Sequence, residues 1–291
     1  MKRERLWKVG FEKLNRVHPG CRWSSGRFPD SKRENEIYCN TGGGRRHTKS
    51  CNSGAGDVAS GFTTTAMSRI ETAFLFDLDG TLIDSVYQHV LAWREALDQE
   101  GIDLSVWRIH RRIGMSGGLF TNMLLRETGL QISPERVERL RQLHAEAFVR
   151  RCHQVRPLPG ARELLRYLTE NGNPWAVATS GRIETAKLNL DALGIDPGVI
   201  PVVTRDQVKY GKPDPDLFLT AADRLDAKIE HSVVIGDAIW DMLAARRARA
   251  LGVGLLSGGY GQEELESAGA ARVYEDPADL LRHVDEIGSR R

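Results

Sequence analysis

The sequence lacks any apolar run near the roughly 18 to 20 residues that a membrane-spanning helix needs. It also lacks a CxxC motif, and it has only four cysteines in 291 residues. These absences disfavour a disulfide framework and make a reducing compartment the default. Aromatic residues make up only 7% of the chain, while 41% hydrophobic and 27% charged residues are ordinary for a globular protein. We therefore expect a soluble, cytoplasmic protein without a membrane partner.

Charge is distributed unevenly along the chain. Residues 1–66 carry 13 Lys and Arg against 6 Asp and Glu, whereas residues 67–291 carry 28 against 33. The second part is therefore mildly acidic, and it offers no general surface that could neutralise many phosphates. Nucleic acid is not an expected partner.

The basic first segment, residues 1–66, shows no sustained hydrophobic period of 2 or 3.6. Such a segment buries too little apolar surface to offset its ordering entropy, so we expect disorder. Three cysteines lie here, but a zinc site with His18 or His47 would need unusually wide ligand spacings. A targeting peptide and a basic tail that touches nucleic acid are alternatives. A simpler hypothesis is that translation begins at Met67.

From Met67 onwards, short β-rich runs alternate with helical stretches. The predicted strands are 73–77, 174–180, 199–204, 232–237 and 250–256. The predicted helices that alternate with them are 160–172, 182–194, 215–226 and 239–250. Continuously apolar strands that alternate with helices indicate an α/β fold in which helices cover both faces of a parallel sheet.

Residues 86–155 interrupt this alternation with helical patterns alone. Long helices are predicted at 86–101 and 133–151, the second with Ser133 as N-cap and Pro134 at its first position. Shorter helices are predicted at 104–114 and 118–129. An all-helical insertion after the first strand is expected to form a cap domain over a crevice in the core, which comprises residues 67–85 and 156–291.

Four polar residues lie at the carboxyl ends of predicted strands or in the following loops, namely Asp77, Thr179, Lys212 and Asp237. Ligands bind beyond these strand ends in open parallel sheets. Polar residues that end a strand are common singly, but four of mutually useful chemistry are not. We expect them to converge on one crevice.

The stretch "FLFDLDGTLIDS" places two carboxylates, Asp77 and Asp79, directly after a buried strand. Asp77 can act as a nucleophile while Asp79 handles the proton of a leaving group, a division that covalent transfer requires. Their mutual repulsion calls for a cation. A hard divalent ion with oxygen ligands fits, and Mg²⁺ usually takes one or two carboxylates plus a substrate phosphate.

Four motifs occur in order, "DLDGTLIDS", "VATSG", "GKPDPDLF" and "VVIGDAIWDMLAA". With them the sequence resembles the haloacid dehalogenase-like hydrolase superfamily over residues 70–291, in the group of phosphoglycolate phosphatase-like and beta-phosphoglucomutase-like proteins. The resemblance implies a three-layer Rossmann-like core, a helical cap, and Mg²⁺-dependent phosphoryl transfer through an aspartyl-phosphate.

The resemblance also implies a role for each acidic residue of the motifs. Asp77 attacks phosphorus, and its carboxylate binds Mg²⁺ together with that of Asp237. Asp79 protonates the leaving alkoxide and then activates water, with its backbone carbonyl on the metal. Thr81 and Asp84 fit supports of this loop and ordinary turn or cap residues equally well.

The remaining motif residues are expected to bind the phosphoryl group. By the resemblance, Thr179 donates a hydrogen bond to a phosphoryl oxygen, and backbone N–H groups near Ser180 and Gly181 assist. Lys212 offsets the charge of the nucleophile and the phosphate. Asp241 lies one helical turn after the second metal carboxylate, where it can orient Lys212 or a metal-bound water.

Hydrolysis of a small phosphorylated metabolite is the favoured reaction. Dehalogenases of the superfamily usually lack the second aspartate, which this chain keeps as Asp79. Phosphonate hydrolases use a cap lysine, and residues 86–155 contain no lysine. The alternative is a sugar-phosphate mutase, since His89 stands where mutases carry a histidine, although Gly117 stands where they carry a cap arginine. A non-catalytic binding module is a further alternative.

Three cap arginines, Arg108, Arg111 and Arg112, lie near a glycine-rich loop. They indicate either a small substrate with a second anionic group or a basic helix face in solvent. Of the three, Arg112 is the predicted substrate contact.

Overall fold

The computed structural model describes residues 72–288, except 117–119, 121–122, 124–125 and 131–132. Its strands are β1 (Ala73–Phe76), β2 (Ile83–Asp84), β3 (Arg156–Pro157), β4 (Trp175–Ala178), β5 (Val202–Val203), β6 (Ser232–Gly236), β7 (Leu251–Leu255) and β8 (Ala270–Tyr274). Six of them form one parallel sheet in the order β5-β4-β1-β6-β7-β8. The strands β2 and β3 form a separate antiparallel pair.

Helices follow most strands of the sheet. The α-helices are α1 (Val86–Gln99), α2 (Val106–His110), α3 (Pro134–Arg151), α4 (Ala161–Glu170), α5 (Ile183–Leu193), α6 (Asp216–Arg224), α7 (Ile239–Ala248), α8 (Gln262–Ala268) and α9 (Pro277–Arg282). In the part of the chain that the structure describes, no helix is both long and apolar enough to cross a membrane.

The central strand β1 shows why the sheet is covered on both faces. Phe74 and Phe76 point into one apolar cluster, which includes residues of α4, α5 and α9. Leu75, between them, packs into a second cluster with residues of α6 and α7. Alternate side chains of a strand face opposite sides of a sheet, so an uninterrupted apolar run requires two apolar layers. The predicted three-layer α/β fold is confirmed.

The helical insertion between β2 and β3 has its own apolar cluster. Val90, Trp93 and Leu97 of α1 pack in it with residues of α2 and α3. The helix α3 begins as predicted, with Pro134 in its first turn and the Ser133 hydroxyl accepting a hydrogen bond from a backbone N–H of that turn. An inserted all-helical unit, as predicted, is therefore present.

Sequence patterns located most elements within a few residues but missed three strands and the last two helices, α8 and α9. Only Tyr274 of the edge strand β8 is buried, and β2 and β3 are two residues long each. The predicted helix 118–129 is only partly described, with helical positions at 120, 123 and 126–128. The predictions for residues 1–66 and the comparison at Gly117 lie outside the described residues.

Replacing a core leucine tests the layered core. Leu168 on α4 is fully buried, whereas Leu219 on α6 is 41% exposed. Because a buried leucine loses its transfer free energy and leaves a cavity, Leu168→Ala should lower the free energy of unfolding by about 2–5 kcal/mol. The matched control Leu219→Ala should lower it by less than about 1 kcal/mol. Urea unfolding followed by circular dichroism measures both, and equal losses would contradict the described packing.

Candidate active site

The carboxyl ends of three neighbouring strands bring the predicted residues together. Asp77 follows β1, Thr179 follows β4 and Asp237 follows β6, and all three are buried. Lys212 lies in the segment between β5 and α6, and it has no exposed surface. Parallel strands end at the same edge of a sheet, so residues separated by 160 positions in the chain share one site.

Lys212 bridges two carboxylates at the centre of this site. Its Nζ lies 2.6 Å from Asp77 Oδ1 and 2.8 Å from Asp241 Oδ1. Burial opposes the charged form of Lys212, but the carboxylates of Asp241 and Asp77 raise the pKa of the ammonium above its usual value. Lys212 therefore stays protonated. Asp241 also accepts a hydrogen bond from the Ala238 backbone N–H at 3.1 Å, at the start of α7.

Negative charge remains in excess around this lysine. Burial raises the pKa of Asp77 to about 7, although Lys212 opposes the rise. Burial also raises the pKa of Asp237 well above its usual value, and the charges of Asp241 and Asp77 add to the effect. Three buried carboxylates face one ammonium, so their ionised forms need a further cation.

Two glycines let the backbone approach Asp237 closely. A Cβ at Gly80, whose φ is +83°, or at Gly258 would overlap the Asp237 carboxylate. The Thr81 hydroxyl donates a hydrogen bond of 2.9 Å to Asp237 Oδ1. Thr81 is thus a support of the loop, one of its two predicted roles, whereas Asp84 is exposed on β2.

The donor set fits Mg²⁺. Asp77, Asp237 and Asp241 each offer an oxygen, and these oxygens lie within 4.8 Å of one another. Oxygen donors and excess negative charge are what a hard divalent cation requires. Lys212 and the Ala238 N–H engage both carboxylate oxygens of Asp241, whereas Lys212 contacts Oδ1 of Asp77 and Thr81 donates to Oδ1 of Asp237. Asp77 and Asp237 each keep their Oδ2, so they are the better candidates.

Three donors surround one oxygen of Asp79. Ser85 Oγ donates to Asp79 Oδ1 at 2.6 Å, and Asn189 Nδ2 donates to the same atom at 2.6 Å. His89 Nε2 lies 3.2 Å from it. Burial opposes the charge on Asp79, but His89 and the hydrogen bonds from His89 and Ser85 hold the pKa of this carboxyl below its usual value.

An aromatic stack extends this arrangement into the helical insertion. His89 Nδ1 lies 3.1 Å from His144 Nε2, and the His89 ring stacks on Phe148 at 3.9 Å. His144 in turn stacks on Trp93 at 4.2 Å. Burial lowers the pKa of His144 well below its usual value, and His89 adds to the effect, so His144 is neutral. The Asp79 carboxylate is thus connected through His89 to side chains of α1 and α3.

Sequence reasoning missed Ser85, Asn189 and His144. The one available signal was at Asn189, a polar residue on the buried face of α5 between apolar Ala186 and Leu190. Ser85 sits at the N-cap of α1, but its hydroxyl contacts Asp79 and does not cap the helix.

The loop after β4 carries the groups that are predicted to bind phosphate, and some of them already have partners within the protein. Thr179 Oγ1 accepts a hydrogen bond of 2.9 Å from the Gly181 N–H, so this N–H, expected to assist at the phosphate, is already engaged. The Ser180 hydroxyl donates to the Gly114 carbonyl at 2.8 Å, which ties the loop to the helical insertion.

A chamber of about 500 Å³ opens beside these residues, between the helical insertion and the carboxyl ends of the strands. Asp77, Asp79 and Thr179 line it, and so does Arg112 of the insertion, the predicted substrate contact. Arg112 contacts the carboxylate of Glu127. Arg108 and Arg111 are not among the lining residues, and they pair with Glu127 and Glu264.

Comparisons with known proteins agree with this geometry. A family model described as "haloacid dehalogenase-like hydrolase" matches residues 71–249, which is more than half of the chain. A crystal structure of a hydrolase from Pseudomonas syringae is 62% identical, with a TM-score of 0.74. The match covers 75% of this chain and 100% of that chain.

Two similar proteins have named activities. Hexitol phosphatase A of Escherichia coli is 32% identical over 57% of this chain and 74% of its own length. A phosphoglycolate phosphatase of Caulobacter vibrioides is 29% identical over 70% of this chain and 87% of its own length. The substrates that these names indicate are those of the two relatives.

The raised pKa values predict how pH and metal affect stability. Folded Asp237 has a higher pKa than the unfolded chain, so the folded state binds more protons above pH 4. Its contribution to stability is therefore complete below about pH 4 and is lost as pH rises through the folded pKa. In EDTA, Asp237→Asn should be more stable than the wild type, and its advantage should grow from pH 5 to pH 8.

Thermal unfolding of both proteins across this pH range measures the difference. Mg²⁺ should stabilise the wild type increasingly with pH and should have little effect on Asp237→Asn. The surface variant Asp223→Asn should behave like the wild type. An advantage of Asp237→Asn that shrinks with rising pH would contradict the assignment.

Proposed function

This chain belongs to the haloacid dehalogenase-like hydrolases, and from that premise we propose that it is a Mg²⁺-dependent phosphatase. Its substrate is a small phosphorylated metabolite of the phosphoglycolate or sugar-phosphate type, and its reaction passes through an aspartyl-phosphate. The observation that carries the proposal is the Lys212 ammonium at 2.6 Å from Asp77, which lines the chamber together with Asp79. A carboxylate held by a cation beside a second, separately hydrogen-bonded carboxylate suits nucleophilic and acid–base roles.

In the first step Asp77 attacks the phosphorus of the ester. Lys212 contacts Asp77 Oδ1, which leaves Oδ2 to form the new P–O bond. The bond from phosphorus to the leaving oxygen breaks, and Asp79 gives that oxygen a proton. Asp79 is ionised in the free site, so it takes up this proton when the negative charge of the bound ester raises its pKa. Ser85, His89 and Asn189 all converge on Asp79 Oδ1, so Oδ2 is the atom that exchanges the proton.

In the second step water hydrolyses the aspartyl-phosphate. Asp79, now ionised, takes a proton from water as its oxygen bonds to phosphorus, and the bond to Asp77 breaks to release phosphate. Thr179 donates to a phosphoryl oxygen, with help from the Ser180 N–H. Lys212 neutralises charge on the phosphoryl group, which is the main requirement in this slow reaction.

Asp77, Asp237 and the Asp79 carbonyl would hold Mg²⁺. When bound, the ion supplies positive charge at a phosphoryl oxygen and offsets repulsion between the carboxylates and the phosphate. Asp241 acts through Lys212, which it contacts at 2.8 Å. Cytoplasmic location stays a prediction.

A mutase is the competing reaction, and the position of His89 beside Asp79 is the observation that favours it. Such an enzyme must bind a bisphosphate. Arg111 and Arg112 are the candidates to replace the missing cap arginine at Gly117, and they pair with Glu264 and Glu127. A binding module without catalysis is the weakest alternative, because the proposed nucleophile, acid, lysine and metal carboxylate are all present in one site.

Phosphate release from a panel of phosphorylated metabolites tests the proposal. Phosphoglycolate and hexose phosphates are included, with Mg²⁺ and with EDTA. Turnover should need the metal, and Asp77→Asn should lower kcat by about a thousandfold or more because the nucleophile is lost. Asp98→Asn, a surface variant on α1, is the control and should retain wild-type turnover.

The other outcomes separate the alternatives. Conversion of glucose 1-phosphate to glucose 6-phosphate with a bisphosphate primer, without phosphate release, would favour the mutase. Silence in both assays would favour a binding role.

A further inference from the structure

The arginines that line the chamber all have partners. Arg112 contacts Glu127, and Arg141 lies 3.2 Å from Glu138. Arg182 lies 3.6 Å from Glu138 and 3.7 Å from Asp206. Arg205 donates to the backbone carbonyls of Val208 and Lys209 at 2.8 and 3.2 Å.

Little net positive charge is therefore left in the chamber away from the phosphoryl site. Its four arginines face three lining carboxylates, Glu138, Glu184 and Asp206, and Glu127 lies behind Arg112, where Arg108 shares it. His144, which also lines it, is neutral. A second anionic group on a substrate would have to compete with these carboxylates, which is unfavourable in a partly buried site.

Glu127 is the carboxylate that controls Arg112. It contacts Arg112 and lies 3.4 Å from Arg108, and its side chain is only 15% exposed. Burial opposes its charge, but hydrogen bonds from Arg112 and Arg108 hold the pKa of Glu127 below its usual value, so it is ionised. Arg112 therefore reaches the chamber already paired with a carboxylate, which Arg108 shares.

Part of the chamber wall is apolar and aromatic. It is formed by Trp93, Ile113, Met115 and Phe120, and the ring centroids of Trp93 and Phe120 lie 4.4 Å apart. A volume of about 500 Å³ lies within the range of pockets that hold whole small molecules. A two-carbon acid would leave most of it empty and this wall without contact. A larger leaving group with C–H faces and hydroxyls would fill it.

We propose that the chamber selects phosphate monoesters whose leaving group is uncharged, hydroxylated and about the size of a sugar or polyol, and that Glu127 sets this selectivity by neutralising Arg112. The inference rests on the proposed phosphatase function. Glu127 is a specificity-determining residue that acts through Arg112. The same balance of charge disfavours a bisphosphate.

A substrate comparison with Glu127→Gln tests the inference. The wild type should hydrolyse sorbitol 6-phosphate or fructose 1-phosphate with a kcat/KM at least about tenfold above that for phosphoglycolate. In Glu127→Gln the freed charge of Arg112 should raise kcat/KM for phosphoglycolate about tenfold, mainly through a lower KM. The double variant Arg112→Gln with Glu127→Gln should lose this gain.

Glu95→Gln is the matched control. Glu95 also lies in the insertion and pairs with two arginines, Arg150 and Arg151, but it does not line the chamber. This variant should keep the wild-type preference. Circular dichroism and thermal unfolding of every variant verify that it is folded.

Failure of the inference is distinguishable from failure of the proposed function. If the wild type hydrolyses p-nitrophenyl phosphate with Mg²⁺ but prefers phosphoglycolate over the neutral esters, the selectivity is wrong and the phosphatase stands. Equal effects of Glu127→Gln and Glu95→Gln would remove Glu127 from the explanation. Absence of Mg²⁺-dependent turnover on every ester would overturn both.

Discussion

The buried ammonium of Lys212 between Asp77 and Asp241 is the interaction on which the site depends. Breaking a buried ion pair on one side leaves an uncompensated charge, which costs about 3–5 kcal/mol. One ammonium cannot neutralise all three neighbouring carboxylates, because an oxygen of Asp237 also lies within 4.8 Å of oxygens of Asp77 and Asp241. Two negative charges remain when all three are ionised. That surplus supports the proposal that this site binds a divalent cation.

The order of the strands in the sheet brings these charged side chains together. The sheet order places β1 between β4 and β6, so Asp77, Thr179 and Asp237 end adjacent strands. Glycines 80 and 258 then allow two backbone segments to close on Asp237. Taken alone, each of these residues is an ordinary polar residue at the end of a strand. The parallel arrangement of the three strands brings them together in one site.

Much of this was predictable from sequence, and the remainder has a common cause. The α/β fold and the positions of Asp77, Lys212 and Asp237 follow from apolar strands, helical periods and ordered motifs, all of which are local signals. Contacts such as Asn189 to Asp79 and Arg112 to Glu127 join side chains whose pairing depends on how helices pack. The strand β8 was missed for a related reason, because its pairing to β7 stabilises a segment with little apolar pattern of its own.

The short pair of β2 and β3 has a consequence for how such proteins can change. Asp84 and Arg156 face each other in register, so the chain leaves for the insertion and returns from it at neighbouring positions. The backbone therefore enters and leaves the segment between them at one place, and a short turn could span the gap that its removal would leave. Asp77, Lys212 and Asp237 would keep their scaffold through such a replacement, whereas Asp79 would lose its contacts with Ser85 and His89. Exchange of the insertion is therefore a modular route by which one catalytic core can acquire new substrates.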